Sequence, residues 1–345
     1  MKKTNRRQFI AGMTATLALA KSNLSAQTSG ADKKEKPAEA PKKPLPFVPG
    51  SWTLVVLPDI QGYSTFFPGL TNLQTQWVAD NKDKYNIAYV LQNGDVTNHN
   101  IELEWDRASK AFSKLDGVVP YAIVPGNHDY CQGNAKDRTT LMNNNFSPDR
   151  FAKWPTFGGV MDEGRIENSY HLFKAGGQDW LILALEWGPR DKTLKWADQI
   201  LTKYHKHKAI IMTHAYLYSD STRYDWEAKG YSQGASPHGY GTEGGVNDGE
   251  EMWNKLIKKH ANTFMTINGH VLNDGLGFLE SKNDFGNSVY QMLVNFQMRP
   301  LGGTSWLRLI EFLPDKKTIQ VKTYCPLKEE YETGPESQFV IQTQL

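Results

Sequence analysis

The sequence predicts an α/β fold, and three observations carry that prediction. Short apolar runs recur along the chain and each stops abruptly in polar turn residues, as WTLVVL (52–57) does before Pro58-Asp59-Ile60-Gln61. Apolar residues at helical spacing lie between the first three runs, giving strand, helix, strand, helix, strand from 52 to 124. The polar residues that close these runs, Asp59, Asp95 and Asn127, fall at strand carboxyl ends, where open α/β sheets hold their ligands. With 345 residues, 39% of them hydrophobic, the chain buries roughly three quarters of its unfolded surface, as one large domain or two smaller ones.

The first segment is an expected export signal. Lys2, Lys3, Arg6 and Arg7 precede an uncharged run from Phe9 to Ala20 that is followed by Leu24-Ser25-Ala26, the layout of a signal peptide over 1–26. The adjacent arginines in TNRRQFIAG resemble a twin-arginine export signal, which implies the export machinery as a partner. The run is too short for a permanent membrane span, and no Cys near Ala26 offers a lipid anchor. A mature chain beginning near Gln27, periplasmic or extracellular, is therefore expected. From 27 to 49 Lys, Pro, Ala and Glu dominate without hydrophobic period, which reads as a linker ahead of one catalytic domain over 50–345. Residues 1–46 hold ten Lys or Arg and three Asp or Glu, so the chain's net +2 leaves −5 on the remainder. Such a domain gains no steering toward phosphate backbones, and no nucleic-acid partner is expected. Cys131 and Cys325 are too few for a disulfide framework and leave one bridge or two thiols open.

After the strand at 52–57, Leu70, Leu73, Trp77 and Val78 place a helix over 70–84. Ile87–Leu91 is the second strand, ending in Gln92-Asn93-Gly94-Asp95-Val96-Thr97-Asn98. A helix from Glu102 to Leu115 leads to the third, in which Ala122-Ile123-Val124 suits burial on both faces, and to Pro125-Gly126-Asn127-His128-Asp129. Taken alone, that last segment is as readily turn chemistry as a site. Three strands ending in the same way shift the balance. From Tyr130 to Gly177 the chain is largely polar and irregular, and insertions over the core are expected. Ser169–Phe173 and Trp180–Leu185 read as strands, 192–204 as a helix, and Lys208–Met212 as a buried strand ending at Thr213-His214. A helix near 250–260 precedes Thr263–Ile267, which runs into Asn268-Gly269-His270. The tail strands, Val289–Phe296, Trp306–Phe312 and Thr318–Tyr324, are expected to run antiparallel and complete a second sheet.

Carboxylate, amide oxygen and imidazole together suit Mn, Fe or Zn, whereas oxygens alone suit Mg or Ca. One Asp can bridge two cations, holding them roughly 3.5 to 4 Å apart for in-line attack on phosphorus. Any single histidine here, His214 for example, is more readily a packed side chain than a ligand, so the constellation carries the inference.

Asp59-x-Gln61, Gly94-Asp95, Gly126-Asn127-His128-Asp129, His214 and Gly269-His270 occur in that order, each after an expected strand. They resemble the motifs of the calcineurin-like metallophosphoesterase superfamily from Trp52 to Leu272, in its subgroup whose first motif is Asp-x-Gln. The resemblance implies a four-layer α/β/β/α sandwich of two mixed sheets flanked by helices, a dinuclear metal site between the sheets, and hydrolysis of phosphomonoesters or phosphodiesters by metal-activated water. It makes Asp95 the bridging ligand, completes one metal site with Asn127, His214 and His270, and leaves Asp59 and Gln61 to the other. It places His128 at the leaving group as the catalytic acid. Gln61 stands where His is common, and Leu272 where the last His of Gly-His-x-His falls. One tight and one weaker divalent site are therefore expected, with Asn273, Asn295 or Gln297 as candidate replacement donors. Asn98 stands where many relatives carry an Asp that orients the catalytic histidine; its amide, or Asp129, is expected to orient His128, and Asp129 reads equally as a solvated turn carboxylate.

Specificity for a small phosphorylated substrate is expected from the loop between Tyr216 and Gly249. Arg223 either clamps a phosphate oxygen there or pairs with Asp220 or Asp225. Two other function classes stand beside hydrolysis. Leu272 and Asn98 motivate a protein that binds metal or a phospho-ligand without turnover; the aromatic-rich loop and Lys/Pro linker motivate a cell-surface interaction protein.

Overall fold

The computed structural model describes residues 43–343. The expected signal peptide and the linker up to residue 42 lie outside the described residues. Strand β1 (Trp52–Leu57) is buried along its whole length because apolar layers cover both of its faces. Trp52, Leu54 and Val56 point into one layer, Val55 and Leu57 into the other. It pairs in parallel with β2 (Ile87–Gln92), and β2 with β3 (Tyr121–Ile123). The helices Pro68–Asn81 and Glu102–Phe112 make the crossovers.

The next strands form a second sheet: β4 (Phe157–Val160), β5 (Ser169–Ala175), β6 (Gln178–Ala184), β7 (Lys208–Met212), β8 (Thr263–Asn268), β9 (Leu276–Lys282) and β10 (Ser288–Val294), in the order β4-β5-β6-β7-β8-β10-β9. Here β6, β7, β8 and β10 run parallel between antiparallel edges. On β6, Trp180, Ile182 and Ala184 face the first sheet, while Leu181 and Leu183 face a layer that includes Leu194 and Leu201 of the helix Asp191–Lys203 and Met252 of the helix Gly249–Lys255. The result is the expected four-layer α/β/β/α sandwich of two mixed sheets.

The tail departs from expectation. Strand β10 joins the second sheet parallel to β8, whereas β11 (Leu307–Phe312), β12 (Thr318–Cys325), β13 (Glu330–Glu332) and β14 (Phe339–Gln342) extend the first sheet, β11 lying antiparallel to β1. The register sets Trp52 opposite Phe312, and their rings stack at 4.0 Å. Residues 45–48, within the expected linker, bind the same sheet: Leu45 N donates to Gln338 Oε1 (2.8 Å) and Val48 N to Glu311 Oε1 (2.7 Å). The stretch from Tyr130 to Gly177 contributes core residues, Met142, Phe146, Phe151 and Ile166 among them. Both cysteines are free thiols. Among the described residues, no helix is long and apolar enough to cross a membrane.

Candidate metal centre

Strands β1, β2, β3, β7 and β8 end toward one region, and the residues just beyond them converge there. Asp95 lies at the centre. Its Oδ1 accepts from His128 N (3.0 Å) and lies 3.2 Å from His214 Nε2; its Oδ2 accepts from Gln61 Nε2 (2.9 Å). Asp59 accepts from the backbone N–H of His270 at 2.9 Å and sits 4.0 Å from His214 Nε2. One ligand atom each of Asp95, His214 and His270 lies within 4.8 Å of the others, and all three residues are buried. Asp95 and His270 both hold left-handed backbone (φ 49° and 73°), a conformation that costs such residues energy and recurs at functional sites.

Glycine permits the close approach. A Cβ on Gly126 would lie 2.0 Å from Asp95 Oδ1, and one on Gly269 would lie 2.0 Å from Asp59 Oδ1. The strand-end loops can therefore meet only where no side chain intervenes.

The imidazoles are set by backbone carbonyls. His214 Nδ1 donates to Asn93 O (2.7 Å), which leaves Nε2 facing the centre. His270 Nε2 donates to Ala235 O (2.8 Å) and frees Nδ1. Two buried oxygens of the expected ligands, Gln61 Oε1 and Asn127 Oδ1, have no hydrogen-bond partner. Orphaned acceptor oxygens near two buried carboxylates are costly by themselves and become satisfied on binding a cation, so the residues fit divalent metal.

The electrostatics agree. Burial, reinforced by Asp95, pushes the Asp59 carboxyl up to about 7 against the opposing charge of His214. Burial works to raise Asp95 too, but His214 and His128 outweigh it and hold this carboxyl well below the usual range. Burial opposes the charge on His214, yet Asp95 and Asp59 bring it up to about 9. Burial and the neighbouring His214 push His270 down to about 3. Positive charge is favoured beside the carboxylates, which is the condition a divalent ion meets.

His128 is oriented differently from expectation. Its Nδ1 donates to the backbone carbonyl of Asn98 (2.9 Å), while the Asn98 amide turns toward His99. A carbonyl does the work expected of a side chain, and residue identity at 98 did not reveal it. Asp129 is neither solvated nor bonded to His128. Its buried carboxylate accepts from Gly126 N (2.8 Å), Val96 N (3.1 Å), Thr97 N (2.8 Å) and Thr97 Oγ1 (2.8 Å), tying the β2 and β3 loops together. Arg223 is occupied: its guanidinium lies 4.2 Å over the Trp253 ring and 3.0 Å from Glu250. It braces the helix Gly249–Lys255, and neither Asp220 nor Asp225 is its partner. Sequence reasoning missed Trp187, whose ring meets His270 edge-on at 4.8 Å and packs against Tyr240 at 5.0 Å. No motif marks a residue that acts as a wall.

Facing sheets with carboxylate, amide and imidazole groups at their strand ends define a metal-binding α/β/β/α protein. The chain matches the family model described as calcineurin-like phosphoesterase over residues 53–238, and it belongs to that family. It is 29% identical over 299 residues to YvnB, an uncharacterised protein of Bacillus subtilis, covering 84% of this chain but 21% of that protein. The chain thus spans about a fifth of that relative's length. Among solved structures it resembles the purple acid phosphatase PPD1 from yellow lupin seeds (TM-score 0.52, 14% identity, 87% of this chain and 55% of that one). It is also similar to a dimetal phosphatase from Danio rerio (TM-score 0.49, 13% identity, 85% of this chain and 99% of that one). Identities this low speak to fold alone.

Proposed function

We propose that this chain hydrolyses a small phosphomonoester or phosphodiester with the help of divalent metal ions, Mn, Fe or Zn. The observation that carries the reading is the buried cluster of Asp95, His214 and His270, one ligand atom of each within 4.8 Å of the others, together with the buried, unpartnered oxygens Gln61 Oε1 and Asn127 Oδ1. Asp95, Asn127, His214 and His270 would hold the tighter ion; Asp59 and Gln61, sharing Asp95, would hold the weaker one. When bound, such ions supply Lewis acidity toward the phosphoryl oxygens and lower the pKa of water to near 7.

The chain's own residues do the rest. The Asn98 carbonyl fixes His128 with its proton on Nδ1, so the half-buried ring presents Nε2 to the leaving-group oxygen. Burial works against protonation of His128, but Asp95 and the Asn98 carbonyl raise its affinity for a proton overall, as a donor to a departing alkoxide requires. His214 and His270, each anchored through its other ring nitrogen, cannot swing away. Trp187 and Tyr240 shield His270 from water.

The test pairs metal analysis with a panel of one chromogenic phosphomonoester and one phosphodiester under Mn, Fe and Zn. Metal-dependent turnover of either is expected, and its loss in Asn127→Ala and His214→Ala. Metal binding without turnover of any ester would favour a non-hydrolytic binder, the reading that Leu272, 45% exposed beside the centre, keeps in view. We also propose export by the twin-arginine route, for which amino-terminal sequencing of the exported protein is expected to begin near Gln27.

A further inference from the structure

The weaker half of the centre lacks a histidine at 272, and the replacement donors the sequence offers are not equivalent. Asn273 is turned away, its amide donating to Ser219 Oγ (2.9 Å). Asn295 has both polar atoms committed: Nδ2 donates to Val271 O (3.2 Å), and Oδ1 accepts from Gln297 N (2.9 Å). Gln297 remains, and its Oε1 accepts from Gln61 Nε2. The Gln61 amide thus donates both of its hydrogens, one to Gln297 and one to Asp95 Oδ2 (2.9 Å), while its own Oε1 is buried without a partner.

That pairing fixes which way the amide faces. Turned over, Gln61 would press its oxygen against the Asp95 carboxylate, which has no hydrogen to offer, so Nε2 stays toward Asp95 and its second hydrogen is taken by Gln297 Oε1. We infer that Gln297 is a positioning residue of the weaker metal half, holding Gln61 so that its Oε1 faces the metal. The inference rests on the proposed metal-dependent reading. A relay runs from the His270 loop at Val271 O through Asn295 and Gln297 to Gln61, so the loop still bears on the weaker half although Leu272 cannot ligate. A ligand-orienting partner of this kind sets metal affinity by about 10- to 100-fold.

The experiment titrates chelator-stripped full-length protein with Mn2+, following stoichiometry, the two affinities and the exchange-coupled dinuclear signal by electron paramagnetic resonance. In Gln297→Leu the weaker equivalent is expected to bind about 10- to 100-fold less tightly. The coupled signal should disappear, with the tighter equivalent and the melting temperature of the metal-free protein unchanged. Gln297→Glu, which keeps an acceptor oxygen at the same reach, restores the coupled signal. An unchanged weaker equivalent in Gln297→Leu overturns the inference, as does equal loss of both equivalents or failure of Gln297→Glu to rescue. A wild-type protein that takes one equivalent overturns it too while leaving the tighter site standing. One that takes none overturns the proposed function itself.

Discussion

At the residue scale the centre is built as much by what is missing as by what is present. Gly126 lies so close to Asp95 that a methyl group would fall 2.0 Å from Oδ1 and 2.4 Å from the backbone N. Asp95 O accepts from Ile60 N (3.0 Å), so the loop cannot withdraw cheaply. Gly126→Ala is therefore expected to displace the shared carboxylate and weaken both metal equivalents by at least about tenfold. Gly269→Ala, aimed at Asp59 and at the loop that carries His270, should likewise weaken metal binding. Gly69→Ala serves as control, since nothing lies within 4 Å of its added methyl; metal content with both equivalents retained is the expected result. The residues that the structure gathers around Asp95 are legible in sequence because Asp, Asn and His recur at the ends of apolar runs in a fixed order. Their orienting groups are not. The Asn98 and Asn93 carbonyls are backbone, which residue identity does not encode, and Gln297 meets Gln61 across 236 residues of chain.

At the scale of elements, apolar runs predict strands where both faces are covered and fail where one edge is open. Lys208–Met212 reads the same in sequence and structure because its neighbours bury it on both sides. Strand β9, LGFLESK, escaped notice because it is the outer strand of its sheet, with a partly exposed polar end at Glu280-Ser281-Lys282. Nor does apolar character say which sheet a strand joins: β10, β11 and β12 are all largely buried, yet β11 and β12 lie in the first sheet and β10 in the second. The long loop before the helix Gly249–Lys255 shows the same limit. Its Arg223 reads from charge as a phosphate clamp or as a partner of Asp220 or Asp225, whereas packing on Trp253 and pairing with Glu250 make it a brace. Arg223→Met is expected to leave KM for a phosphoester within about twofold and to lower unfolding free energy by about 1 kcal/mol. Steady-state kinetics and urea unfolding check the pair of outcomes. A KM raised tenfold or more would return Arg223 to the substrate.

At the scale of the whole molecule, the two sheets meet through a largely apolar layer that also carries a polar tie. Tyr89 on β2 of the first sheet hydrogen-bonds His171 Nδ1 on β5 of the second at 2.8 Å, and Ser169 Oγ lies 3.3 Å from the other ring nitrogen. Phe151 and Phe157 pack against the same ring. Burial pushes the His171 imidazole down to about 3, so the folded protein keeps it neutral through mild acid. In the unfolded chain a histidine titrates near about 6.5. Between those values the unfolded state binds a proton that the folded state refuses, so stability is complete above about 6.5 and falls as pH drops toward 3. One such proton contributes a slope of about 1.4 kcal/mol per pH unit. His171→Gln keeps hydrogen-bonding capacity and removes the titration. Urea unfolding of metal-free protein from pH 4 to 7 is expected to show a shallower pH slope in the variant than in the wild type, by close to one proton. Equal slopes would mean that the layer between the sheets is not where acid first loosens the sandwich.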